Sequence, residues 1–147
     1  MPQQSAYEVE LVTTSNPDDY LLALLATLTG LPLEEARERL RCVLPPKKKW
    51  GGQTFVRAAR ELGYATTLRF VPFVASTPWP GILRCAIPPE WGTGWWALVY
   101  ASGHVLNPLA NDGWHTLPLD EFKRRYPRVR ITSMLPVWME FITSISH

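Results

Sequence analysis

Apolar side chains recur at helical spacing along the first part of the chain and at a spacing of two further on. Tyr7, Val9 and Leu11 alternate with Glu8 and Glu10, which predicts a half-buried strand over Tyr7–Thr13. Ser15-Asn16-Pro17-Asp18-Asp19 then reads as a helix start. Asn16 or Ser15 caps it, Pro17 presets φ, and two carboxylates face the positive end of the dipole. The helix predicted over 17–29 is apolar nearly all round, which places it at the centre of the core, and Gly30 stops it. A second helix is predicted from Pro32 to about Leu44, with Leu33, Ala36, Leu40 and Val43 or Leu44 as its buried stripe. Pro45-Pro46-Lys47-Lys48-Lys49 is a stiff, solvated connector, and Gly51-Gly52 leads into a third helix over 53–62 that Gly63 ends.

Beyond Gly63 the period changes. Strands are predicted over Ala65–Val71, Ile82–Ile87, Trp114–Leu117 and Val129–Leu135. Trp95–Tyr100 and His104–Leu106 form a hairpin around Ala101-Ser102-Gly103. Leu119–Tyr126 reads as a short helix, and Pro136 separates off an amphipathic tail in which Trp138, Phe141, Ile142 and Ile145 stand at i, i+3, i+4 and i+7. Helices first and antiparallel strands afterwards predict an α+β fold, with N-terminal helices packed on an antiparallel sheet. One domain is expected over residues 1–147, the tail occupying 136–147.

Composition narrows the classes. With 46% hydrophobic and 19% charged residues, the chain is neither disordered, collagen-like nor a coiled coil. No apolar run approaches the ~20 residues that span a bilayer. The start, Met1-Pro2-Gln3-Gln4-Ser5, lacks the basic and apolar regions of a signal peptide, so a soluble cytoplasmic protein without a membrane partner is expected. There, Cys42 and Cys85 stay reduced. His104, His115 and His147 show no metal-ligand spacing, so neither a metal nor a cofactor is expected. The Glu/Arg pairs of Leu33–Leu40 and the scarcity of Gln and Asn lean towards a thermophilic source.

The order of several motifs carries a resemblance. Asp18-Asp19-Tyr20 opens a helix, and Thr29-Gly30-Leu31-Pro32-Leu33-Glu34-Glu35 follows it. Gly51 to Tyr64 ends in Leu62-Gly63-Tyr64. Gly94-Trp95-Trp96 precedes Gly103-His104-Val105-Leu106-Asn107-Pro108, and Leu117-Pro118-Leu119-Asp120-Glu121-Phe122 comes last. Over residues 16–135 this series resembles papain-like cysteine peptidases of the bacteriocin-processing (double-glycine leader peptidase) type. The resemblance implies a papain-like core. It also implies a catalytic Cys at the head of the first helix, a His on a strand and an Asn or Asp that orients the His.

Those positions fall on Tyr20, Trp95 and Asn107, and the upstream oxyanion Gln falls near Thr14. A phenol, with an ordinary pKa near ~10, is a poor acyl nucleophile at neutral pH. An indole neither takes up nor releases a proton usefully. The resemblance therefore implies a pseudo-peptidase with no catalytic residues, working as a non-catalytic protein-binding factor. Small proteins of this degenerate type are often phage-encoded. That makes host machinery, with RNA polymerase as one candidate, the expected partner.

Two other classes stay open. One is a thiol hydrolase built on Cys85 or Cys42 with His104 or His115. Against it, Cys42 sits near a helix end, where the dipole disfavours a thiolate, and Cys85 lies inside a strand. The other is a nucleic-acid-binding module acting through Lys47-Lys48-Lys49 and Lys123-Arg124-Arg125, with Trp50 placed to stack on a base. A net charge of +2 ranks that reading below a protein partner. Seven tryptophans supply interface anchors. The candidate contact residues are Lys47, Lys48, Lys49, Trp50, Trp79, Trp91, Arg124 and Arg125.

Overall fold

The structure is a computed structural model that describes residues 9–43, 51–109 and 113–139. Among these residues four helices pack on one six-stranded sheet, an α+β fold. The side-chain amide oxygen of Asn16 accepts the Asp18 N–H at 3.0 Å, and a 3-10 turn over Pro17–Asp19 leads into α1 (Tyr20–Thr29). Gly30, at φ 73°, ends α1 in the left-handed conformation that a Cβ disfavours. Every side chain from Ala23 to Thr29 is buried, as an all-round apolar helix requires. Both of its threonines are hydrogen-bonded. Thr27 accepts the Val12 N–H at 2.9 Å, and the Thr29 hydroxyl donates to the Leu25 carbonyl at 2.7 Å.

Helix α2 (Leu33–Arg39) is shorter than its apolar stripe predicts, and turns continue to Val43. Helix α3 (Gly52–Glu61) is amphipathic, burying Phe55, Val56, Ala58 and Ala59 while Arg57 and Arg60 face outward.

The strands are β1 (Tyr64–Thr66), β2 (Gly81–Ala86), β3 (Trp95–Ala101), β4 (His104–Leu106), β5 (Thr116–Pro118) and β6 (Arg130–Met139). They lie in the order β1-β6-β2-β3-β4-β5, with every neighbouring pair antiparallel. The predicted β3–β4 hairpin forms, and its two central residues, Ser102 and Gly103, both have positive φ (53° and 82°). That conformation matches the twist of the flanking strands. Where β6 runs along β2, Thr132 is an extra residue between the Arg84–Ser133 and Cys85–Ile131 pairs. Its hydroxyl donates to the Arg84 carbonyl at 2.9 Å, closing the bulge.

Both faces of the sheet are covered. Ile82, Ala97, Val99, Leu106, Leu135 and Val137 share one core with Leu24, Leu25 and Leu28 of α1 and Phe55 and Val56 of α3. Leu83, Cys85, Leu98, Tyr100, Val105 and Met134 share the other with Trp114, Leu117, Val129 and Phe122. Phe122 belongs to α4 (Leu119–Arg125). Each fully buried Leu, Ile or Phe contributes about 1.5–3 kcal/mol. No helix among the described residues is long and apolar enough to cross a membrane.

Three sequence expectations are corrected. Of the strand predicted over Tyr7–Thr13, residues 9–13 form no strand among the described residues, and Thr14 alone bridges Leu109. The alternation is still used, because Val9 and Leu11 pack on the first core, but the partner of the Val12 N–H is a helix side chain. The strand predicted over Ala65–Val71 shrinks to β1 plus a single bridge from Val71 to Met134. Pro136 does not end β6, which continues to Met139, so Trp138 stands in a strand opposite Ala65 instead of opening a helical tail. Proline is accommodated because it marks a change of partner: Pro136 is the last residue paired to β2, and Val137 the first paired to β1. The rest of the expected tail, residues 140–147, lies outside the described residues.

Candidate functional site

The head of α1 and the start of β3 border an open cavity of about 450 Å³. Tyr20, the first residue of α1, turns its phenol towards the sheet and donates a hydrogen bond to the Ala97 carbonyl on β3. Trp95, the first residue of β3, packs against Phe55 and Phe70 with ring centroids 5.9 and 5.8 Å away. The Arg84 guanidinium lies 4.7 Å from the Trp95 ring centre, a cation–π contact. Leu21 and Phe55 add apolar lining, and Thr93 and Gly94 form an exposed part of the rim. Gly94 has φ 98°, so the rim turns where a side chain is poorly tolerated.

The helix head is clamped from outside. Arg37 on α2 holds Asp19 through two parallel bonds, Nη1 to Oδ1 at 2.8 Å and Nη2 to Oδ2 at 3.2 Å. The hydrogen-bonded guanidinium holds the Asp19 carboxyl below its usual range against the opposing effect of burial.

The cavity is apolar and aromatic, and among the described residues Tyr20 is the one titratable side chain lining it. Its hydroxyl is engaged as a donor to a backbone carbonyl. Among the described residues, no imidazole, thiol or carboxylate lines the cavity. The arrangement suits an apolar group of a ligand.

Of the three positions marked by the resemblance, Tyr20 and Trp95 share this cavity and Asn107 does not line it. Asn107 is fully buried after β4. Its side-chain oxygen accepts the Leu109 N–H at 3.0 Å, and its backbone N–H donates to the His115 carbonyl at 2.8 Å. That is the chemistry of a side chain shaping the turn at Pro108. His115 Nδ1 donates to the Asn107 carbonyl at 3.0 Å, and His104 Nδ1 to the Ser102 carbonyl at 3.1 Å.

Cys85 is fully buried in the second core, and burial pushes its thiol up to about 12. Cys42 is exposed. Thiol titration with Ellman's reagent at pH 8 should therefore read one fast thiol per native chain. The second should appear only on unfolding. Two fast thiols per chain would mean that β2 is open to solvent.

The remaining sequence candidates separate. Trp91, 51% exposed, packs on Trp96 and on Tyr126, the residue after Arg124 and Arg125, so these three candidates share one corner. Arg124 there is paired with Glu121 at 2.8 Å. Trp79 packs on Trp138 at 6.0 Å, apart from that corner in its contacts. Lys47, Lys48, Lys49 and Trp50 lie outside the described residues. Among the described residues no three metal-ligating side chains converge.

Phe55 reads from sequence as an ordinary core position, and only its packing against Trp95 of β3 makes it a cavity wall. Thr93 and Gly94 carry one faint signal, a Gly-Thr-Gly loop immediately before an aromatic strand. No protein-family model matches the chain, and no curated protein matches it.

Proposed function

We propose that this chain is a non-catalytic protein-recognition factor, a degenerate papain-like peptidase in which an aromatic cavity replaces the catalytic centre. The observation that carries the reading is the pairing of Tyr20 and Trp95 across one cavity at the head of α1. These are the two positions where the resemblance expects a nucleophile and a base. A phenol bonded to a backbone carbonyl and an indole packed among phenylalanines supply surface, not proton transfer. Concave aromatic pockets of this kind receive the anchor side chains of partner proteins. The phage-type resemblance makes bacterial host machinery the first partner to test, with RNA polymerase a candidate.

The test is capture from nuclease-treated bacterial lysate, and from purified RNA polymerase, by tagged protein and by Thr93→Arg. Thr93 is an exposed rim residue, so the variant obstructs the cavity while leaving both cores intact. The wild-type chain should capture one stoichiometric partner, and the variant should lose it by about tenfold or more, as for an interface anchor. Equal capture by both proteins, or a bait that stays clean, refutes the reading. A Tyr20→Cys/Trp95→His variant tests the resemblance separately. Its new thiol, at a helix head, should titrate below the ordinary ~8.5. A thiol no more reactive than Cys42 removes that register.

A further inference from the structure

We propose that the other face of the sheet carries a second site, a basic groove that takes an acidic peptide segment of a partner protein. The groove has a volume of about 410 Å³ and lies between the last turn of α4 and the start of β6. Lys123 and Arg130 stand on its walls, and Phe73, Val129 and Ile131 supply the apolar surface between them. It shares no lining residue with the Tyr20 cavity.

The charge pattern argues for an acidic occupant. Five cations stand between residues 123 and 130. Two on the flanks are neutralised within the fold, Arg124 by Glu121 and Arg128 by Glu90. The two that line the groove are exposed, and among the described residues neither forms an ion pair. Among the described residues, no carboxylate lines the groove. Arg125, the fifth, is exposed outside the lining and also forms no ion pair among the described residues, so three cations at and beside the groove are left for an acidic occupant. Two carboxylates of one peptide satisfy the two in the lining, with charge-assisted bonds at either end.

The apolar surface specifies the middle of that peptide. Val129 is buried, and Phe73 is held edge-on against Tyr100 at 4.9 Å. Tyr100 is itself fixed by a 2.6 Å bond from its hydroxyl to the Ala75 carbonyl. The surface is thus formed before any ligand arrives, which lowers the entropic cost of binding. It fits one apolar side chain flanked by acids. A nucleic acid fits less well. A phosphate backbone needs a continuous run of free cations, and bases need aromatic platforms, whereas three of the four apolar lining residues are Pro127, Val129 and Ile131.

The experiment is a ¹H–¹⁵N NMR titration of the full chain with the capped peptide Glu-Glu-Phe-Glu-Glu. The comparison ligands are Gln-Gln-Phe-Gln-Gln, Glu-Glu-Ala-Glu-Glu and a ten-nucleotide oligothymidylate. Saturable shifts are expected at the Val129 and Ile131 amides. Affinity should fall about tenfold for the glutamine peptide, which keeps shape and loses charge, and about fivefold for the alanine peptide, which loses the apolar contact. Lys123→Glu/Arg130→Glu, two exposed positions, should abolish the shifts, while Thr93→Arg should leave them unchanged. That last arm separates this groove from the Tyr20 cavity, so either site can fail alone. Equal binding of the glutamine peptide, absence of saturable shifts, or tighter binding of oligothymidylate at the same amides overturns the proposal.

Discussion

Phe55→Ala should lower folding stability by about 3–5 kcal/mol, among the largest effects of any single truncation in this chain. Phe55 is fully buried and lies between two structures at once. It belongs to the core under α1 and α3, and its ring packs on Trp95 and Phe70 at the cavity wall. Removing it forfeits the transfer free energy of the ring and leaves a void that α3 cannot close without leaving the sheet. The measurement is urea unfolding at constant m-value, with a melting point lower by roughly 10 °C or more as the calorimetric counterpart. A loss below about 1 kcal/mol would mean that the ring is not enclosed. Phe55→Leu should cost less, because it keeps apolar volume on the cavity wall.

Gly81→Ala should be the second severe substitution, for a reason that concerns backbone and not side chains. Gly81 opens β2 with Tyr100 opposite on one side and Pro136 on the other. A Cβ there would fall on the Leu135 carbonyl oxygen and the Met134 methyl. The methionine end can swing away, but the carbonyl belongs to the neighbouring strand. The cost is about 1–3 kcal/mol, and more if the Val137 N–H to Pro80 carbonyl bond is also lost. Gly51→Ala is the control. A Cβ at Gly51 meets no described atom within 4 Å and its φ is −93°, so the only expected cost is that of Ala against Gly at the N-cap of α3, about 0.5 kcal/mol, below the loss at Gly81. Equal losses at the two positions would mean that β2 and β6 do not approach as described.

The pattern of apolar positions was enough to read α1, α3 and the hairpin, because each is specified locally. Asn16 and Gly30 bracket α1, and Ser102-Gly103 supplies the only short turn between Trp95 and Leu106. What the pattern misread is set by distant partners. Residues 9–13 have the alternation of a strand, yet the surface they cover belongs to α1. Pro136 looks like a stop, yet the strand survives it because its partner changes at that residue.

The same division holds for the two sites. Tyr20 and Trp95 stand out only through the family resemblance, while Phe55 and Thr93 join them through tertiary packing. Lys123 and Arg130 are legible as charge, but nothing local says that Phe73, some fifty residues earlier, lies between them.

The place of β6 has a consequence for how the molecule comes into being. It is the last described strand to leave the ribosome, yet it is an inner strand, lying between β1 and β2. Until it arrives, β1 has no neighbour, and β2 offers an open edge of unpaired backbone groups. The α1 and α3 helices can form early from local contacts, but the surface they must cover is incomplete. Assembly therefore waits on pairings that span most of the chain, a long-range topology that folds in the slow range of small domains. A nascent chain halted before residue 130 would display its β2 edge to chaperones and to other nascent chains. For this fold, cooperative folding cannot begin until β6 has been synthesised.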